Sequence, residues 1–270
     1  MSLSTKGDPA NRSMETTTVT ILGSGTCVPS LTRSACSVLV QTGEEKILFD
    51  VGPGTMRRLL EAGVSVFEIT RIFLSHFHPD HVGELVSFLF SNKYSGQKRR
   101  SRPLTLVGGK GILSFFDGLT AVFGEWILLP PELFALKSLS TTGTDTFEFN
   151  GIRVDSASVV HRPESLAYRF IGPDGKSVVY SGDTDESDAL VSLSTGANLL
   201  ICEAAMPDEL KKDGHLTPSR AGRIATLARV KKLVLTHFYP ECETADMIGQ
   251  CRKTYDGPLV LAEDLLGIPI

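Results

Sequence analysis

The sequence predicts an α+β fold of the αββα type, with two packed mixed β-sheets flanked by helices. Three observations lead there. Short apolar runs of strand length recur from end to end, helical patterns separate many of them, and the elements fall into two rough halves. Repeats, low-complexity stretches and charge-rich linkers, which would divide the chain, are missing.

In order, apolar runs at 19–22, 36–42 and 46–49 read as strands, and the pattern at 55–61 as a helix. A strand at 71–74 leads into a helix at 82–91, and a strand at 104–107 into a helix at 111–123. Strands follow at 146–149, 152–159, 166–170 and 177–180. The third and fourth of these are joined by a turn at Gly172-Pro173-Asp174-Gly175. The remainder reads as helix 186–193, strand 199–202, helix 219–228, strand 232–235, helix 245–254 and strand 259–261.

Composition bounds the function. The chain has 270 residues, 41% hydrophobic and 21% charged, enough for a large core and not a disordered chain. A net charge of −4 argues against coating nucleic acid over the whole surface, but leaves room for a local basic patch. Lys93, Lys98, Arg99, Arg100 and Arg102 form such a stretch; it reads first as a solvated loop, and otherwise as a phosphate-attracting edge. Five cysteines, an odd number with no CxxC spacing, point to a reducing, cytoplasmic setting. Residues 1–15 read as a polar tail, not a signal peptide, and residues 16–270 as one domain. No apolar run is long enough to span a membrane.

The chemistry concentrates in Ser75-His76-Phe77-His78-Pro79-Asp80-His81, which follows a strand and precedes a helix. Three imidazoles and a carboxylate within six residues suit a transition metal and are hard to explain as packing. His76 and His78 project to one side of an extended segment and can share an ion. Asp80 and His81, beyond the turn at Pro79, can face another.

His76-x-His78-x-Asp80-His81 resembles the signature of the metallo-β-lactamase superfamily. Three further elements of that pattern follow in order: His161 after a strand, Asp183 in Tyr180-Ser181-Gly182-Asp183-Thr184, and His237 in Leu235-Thr236-His237-Phe238. Five of the chain's six histidines thus occupy ligand positions. The resemblance implies two divalent ions, zinc foremost, with manganese or iron also suited. By it, His76, His78 and His161 hold one ion, Asp80, His81 and His237 hold the other, and Asp183 bridges them.

Leu22-Gly23-Ser24-Gly25-Thr26 with Pro29, Arg33 and Ser37, and Phe49-Asp50-Val51-Gly52-Pro53-Gly54-Thr55, resemble the ribonuclease Z branch. There Asp50 would shape the site from behind the ligands. By the same resemblance, Glu203 would orient the sixth histidine, His215, as proton donor to the leaving oxygen. The chain departs from that branch in four ways. The long transfer-RNA-binding arm is absent, since only 22 positions separate His161 from Asp183. Cys202 stands where a histidine is usual, Ala205 replaces a threonine, and Phe238-Tyr239-Pro240 lacks the usual arginine-tyrosine.

The expected function is that of a dinuclear phosphodiesterase acting on an RNA 3′ end or a small phosphodiester, without a membrane partner. A homodimer is expected by analogy alone. The alternative is a thioester, lactone or sulfate-ester hydrolase on the same centre. His78 stands where the redox branch carries an acidic residue, and a bridging Asp183 argues against a true β-lactamase.

Overall fold

Each central strand is apolar on both faces, and the architecture explains why. The computed structural model describes residues 16–94, 96 and 100–270. The tail at 1–15, and Lys98 and Arg99 of the basic stretch, lie outside the described residues. The first sheet contains β1 (Thr18–Gly23), β2 (Ser37–Thr42), β3 (Glu45–Phe49), β4 (Arg71–Phe73), β5 (Leu104–Gly108) and β6 (Phe134–Ser138). The second contains β7 (Thr144–Phe149), β8 (Ile152–Ser158), β9 (Leu166–Ile171), β10 (Ser177–Tyr180), β11 (Leu199–Glu203), β12 (Leu233–Thr236) and β13 (Leu259–Leu261). The last strand, β14 (Leu266–Pro269), returns to pair with β1.

The spatial orders are β14-β1-β2-β3-β4-β5-β6 and β13-β12-β11-β10-β9-β8-β7. In both sheets antiparallel pairs give way to parallel ones, at β3–β4 and at β10–β11. Val38, Val40, Ile47, Phe49 and Phe73 face the second sheet, where Tyr168 and Phe170 meet them. Their neighbours Leu39, Leu48 and Ile72 turn the other way, under α1 (Thr55–Glu61), α2 (Pro79–Val82), α3 (Leu85–Lys93) and α4 (Ile112–Phe123). Helices α5 (Asp188–Ser194), α6 (Pro218–Ala228) and α7 (Met247–Arg252) cover the second sheet. The result is the expected αββα sandwich.

Three local expectations need correction. Strands β6 and β14 were not anticipated: both are edge strands whose residues stay largely half-exposed, so neither carries a strong apolar run. The helix expected over 82–91 is broken at Gly83–Glu84, where the Glu84 amide donates to the Val51 carbonyl at 3.0 Å instead of to a carbonyl one turn back. In the basic stretch, Arg100 is buried and donates to Asn92 Oδ1 (2.8 Å), Val66 O (2.9 Å) and Ile69 O (2.8 Å). Burial lowers its pKa to about 10. Arg102 pairs with Glu44, and Lys93 donates to the Glu125 carbonyl. The described members of this stretch therefore tie the fold together.

Among the described residues, no helix is long and apolar enough to cross a membrane. The sheets are locked by aromatic contacts, with Phe49 lying 5.4 Å from Phe73, 5.7 Å from Tyr168 and 5.9 Å from Tyr180, centroid to centroid. Phe49→Ala is expected to cost about 3–5 kcal/mol, since it opens a cavity between two sheets that cannot collapse freely. Urea unfolding monitored by circular dichroism measures this; a loss below about 1 kcal/mol would remove Phe49 from the lock.

Candidate metal centre

The constellation gathers beyond the C-terminal ends of strands, on the loops and the short helix that follow them, where the sheet is rigid and the chain is free to turn. His76 follows β4. His78 caps α2, Pro79 occupies its first turn, and Asp80 and His81 lie within it. His161 follows β8, Asp183 follows β10, Glu203 ends β11, and His237 follows β12. The first sheet thus supplies one half of the cluster and the second sheet the other.

Asp183 sits at the centre and is 2% exposed. One of its oxygens lies 3.3 Å from His81 Nε2. The other lies 3.4 Å from His237 Nε2, 3.7 Å from His76 Nε2 and 3.9 Å from His161 Nε2. Donor atoms of His76, His78, His161 and Asp183 all fall within 4.8 Å of one another. The Asp80 carboxylate lies at the other end of the cluster, 3.8 Å from His81 Nε2.

These spacings test whether a metal fits. Two donors about 2.0–2.1 Å from a tetrahedral ion lie roughly 3.4 Å apart, close to the separations seen here. Moreover, His76 Nε2, His81 Nε2, His237 Nε2 and Asp183 Oδ1 are all buried without a hydrogen-bond partner. A protein leaves so many buried polar atoms orphaned in one place when something else satisfies them. The donor set fits divalent metal.

The faces of the imidazoles away from the cluster are held firmly. Asp50 Oδ2 accepts from His81 Nδ1, Ser75 Oγ and Tyr180 Oη, each at 2.7 Å, and Asp50 Oδ1 accepts from the Ser75 amide at 2.7 Å. His161 Nδ1 meets the Gly214 carbonyl at 2.9 Å. His237 Nδ1 lies 2.9 Å from the Cys36 thiol. Asp50 and His237 both adopt left-handed backbone, at φ 61° and 62°. Such strain costs of order 1–3 kcal/mol per residue and concentrates at functional sites. Gly52 is required sterically: a Cβ there would meet the Asp80 carbonyl at 2.2 Å.

Electrostatics follow from burial and from this carboxylate core. Burial drives the His76 imidazole far below its usual range, lowers His161, and takes His237 down to about 4. Burial also opposes charge on His81, but Asp183 and Asp50 outweigh it and raise its pKa. For Asp183, burial is overcome by His237 and His81, which hold the carboxyl well below its ordinary value.

Beside the cluster, Glu203 Oε1 lies 3.0 Å from His215 Nδ1. Glu203 is fully buried and also accepts the amides of Thr184 (2.7 Å), Ala205 (3.3 Å) and Leu216 (3.1 Å). Burial pushes its pKa up; burial also opposes the His215 charge, but Glu203 raises His215 in turn. The loop carrying His215 is anchored by Asp185, which accepts Lys211 Nζ at 2.7 Å and the Gly214 amide at 3.1 Å. Sequence reasoning had anticipated Asp50, Glu203 and His215. It missed Ser75, Tyr180, Asp185 and Cys36, whose roles arise from contacts between distant segments and leave no local signature.

Because asparagine tolerates left-handed backbone, Asp50→Asn should keep the fold while forcing an amide N–H against one of four donors. Zinc affinity measured against a chromophoric chelator should fall about 10–100-fold. An unchanged affinity would show that Asp50 does not support the ligands.

Comparison with known proteins agrees with this architecture. The protein-family profile described as "Anti-Pycsar protein Apyc1" matches residues 17–243. Ribonuclease Z of Methanothermobacter thermautotrophicus is 28% identical over 303 aligned positions, which take in 93% of this chain and 96% of that protein. Ribonuclease Z of Nocardia farcinica is 29% identical, with the same coverage. The structure superposes on human tRNase Z, short form, with a TM-score of 0.75 and 27% identity, covering 93% of this chain and 98% of that one. The metallo-β-lactamase fold protein YhfI of Bacillus subtilis, 20% identical, gives a TM-score of 0.79 over 95% of this chain and all of that one. The chain belongs to the family described as anti-Pycsar protein Apyc1, and is a ribonuclease Z-like protein of the metallo-β-lactamase superfamily.

Proposed function

We propose that this ribonuclease Z-like, metal-dependent phosphodiesterase is dinuclear and cleaves small phosphodiesters with an alkoxide leaving group. The observation that carries the leaving-group assignment is the Glu203–His215 pair, 3.0 Å apart and beside the donor cluster. A thiolate leaves without a proton, whereas a ribose-type alkoxide does not, so a buried carboxylate holding an imidazole is suited to phosphodiesters. A thioester hydrolase, by contrast, gives this pair no task, because its thiolate leaves unaided.

His76, His78 and His161 would hold one ion and Asp80, His81 and His237 the second, with Asp183 between. Zinc suits this nitrogen-rich set best, with manganese or iron also accommodated. When bound, divalent ions supply Lewis acidity and bring the pKa of water down to about 7. Asp80 would also accept a hydrogen bond from the attacking water and so aim it. His215 holds its Nδ1 against Glu203, leaving Nε2 to protonate the departing oxygen. Five cysteines outside any disulfide fit a reducing compartment such as the cytoplasm.

Small substrates are favoured over transfer RNA by the segment from His161 to Asp183, which contains only the β9–β10 hairpin. Of the 303 positions aligned with the archaeal ribonuclease Z, about 50 have no counterpart in this chain.

Bis(p-nitrophenyl) phosphate should be hydrolysed with zinc or manganese present and not by Asp80→Ala. His215→Ala should lose about 10²–10⁴-fold on an alkyl ester and much less on the nitrophenyl ester. Equal losses on both would end the proton-donor role. Turnover of a thioester, lactone or sulfate ester, with no phosphodiester cleaved, would select the alternative.

A further inference from the structure

A cleft of about 500 Å³ opens beside the metal cluster and touches it at Asp80. One wall is the loop over residues 25–34; the other is Pro53, Gly54 and the first turns of α1. The loop is built to hold its shape. Asp264, buried behind it, accepts the Ser24 amide at 2.9 Å and the Ser34 amide at 2.7 Å, so one carboxylate pins both ends. Gly25 and Ser34 close the neck at 2.9 Å, and Arg33 reaches the Ala262 carbonyl at 2.7 Å. Within the loop, Ser30 Oγ accepts the amides of Thr32 and Arg33, each at 3.2 Å.

The chemistry of the lining identifies what the cleft suits. Its three guanidinium groups are already matched: Arg33 with Glu243 at 2.5 Å, Arg58 with Asp264 at 3.0 Å, and Arg57 with Glu61 at 2.9 Å. They offer little free positive charge to a second phosphate. The loop instead presents Val28, Pro29 and Leu31, and Leu31 is 102% exposed. Three apolar side chains, Val28, Pro29 and Leu31, thus stand together in water at the lip of a cleft that meets the donor cluster. His215 does not line the cleft.

Resting on the reading of the cluster as a phosphodiesterase centre, we propose that this cleft is the specificity subsite for the retained group of the substrate. It takes an uncharged, apolar or aromatic substituent, held by Val28 and Leu31. Phosphate-rich polynucleotide is the occupant it disfavours.

The test compares diphenyl phosphate with dimethyl phosphate, by calorimetry on the zinc-loaded protein, in the wild type, Leu31→Ser and Val28→Ser. Turnover of bis(p-nitrophenyl) phosphate against methyl p-nitrophenyl phosphate is measured in parallel. The wild type should bind the diphenyl ester more tightly. Each variant should lose about tenfold on diaryl substrates and less than about twofold on the methyl esters, with bound zinc unchanged. Equal affinity of the wild type for both diesters, or equal effects of the variants on both, overturns the subsite. So does a loss confined to a short oligoribonucleotide, which would assign the loop to RNA. Leucine-dependent binding of diphenyl phosphate without turnover of any diester would keep the subsite and remove the phosphodiesterase reading instead.

Discussion

A carboxylate buried to 2% exposure needs compensation, and the imidazoles of His81, His237, His76, His161 and His215 crowd around Asp183 within 3.3–3.9 Å. An isolated buried anion costs several kcal/mol even after relaxation. Much of the remaining arrangement serves this core. Two sheets must end together to bring its neighbours into reach, the chain must turn sharply at Asp50 and His237, and an outer ring of acceptors must fix each imidazole ring. The same crowding leaves Nε2 atoms converging without partners, an arrangement that makes sense around positive charge supplied from outside the chain.

The supports of the histidines are chemically unequal. His81 is backed by a carboxylate, His161 by a backbone carbonyl and His237 by a thiol. A carboxylate raises ligand basicity most and a sulfur least, because sulfur is a weak acceptor. The two halves of the cluster therefore differ in character although their first ligands look alike. Behind His215 the design changes again: Glu203 is saturated with three backbone amides, so its position is rigid and its partner imidazole is held at one angle.

Much of this was legible in the sequence, for identifiable reasons. Strands covered on both faces read as continuous apolar runs, which is why β1 to β5 and β8 to β12 were found near their true places. Of the four edge strands, β7 and β13 carry aromatic or branched apolar residues and were read, whereas β6 ends in lysine and serine and β14 contains glycine and proline, which leave little trace of a strand. The six histidines stood out because imidazoles are scarce and here fall in a tight pattern. Their supports did not stand out. Cys36 and His237 are 201 positions apart, and Asp264 is one of 31 acidic residues; only the folded chain distinguishes them. The basic stretch misled in the opposite direction, since a run of cations looks solvated until Arg100 is seen buried among carbonyls.

The division of ligands between the two sheets has a thermodynamic consequence. His76, His78, Asp80 and His81 belong to the first sheet, and His161, Asp183 and His237 to the second. An ion shared between them acts as a chemical rivet through the sandwich, and its occupancy becomes part of the folding equilibrium. At a free concentration one hundred times its dissociation constant, one such ion adds about 2.7 kcal/mol to the native state. Occupancy of the site then bears on how firmly the two sheets hold together as well as on the chemistry between them.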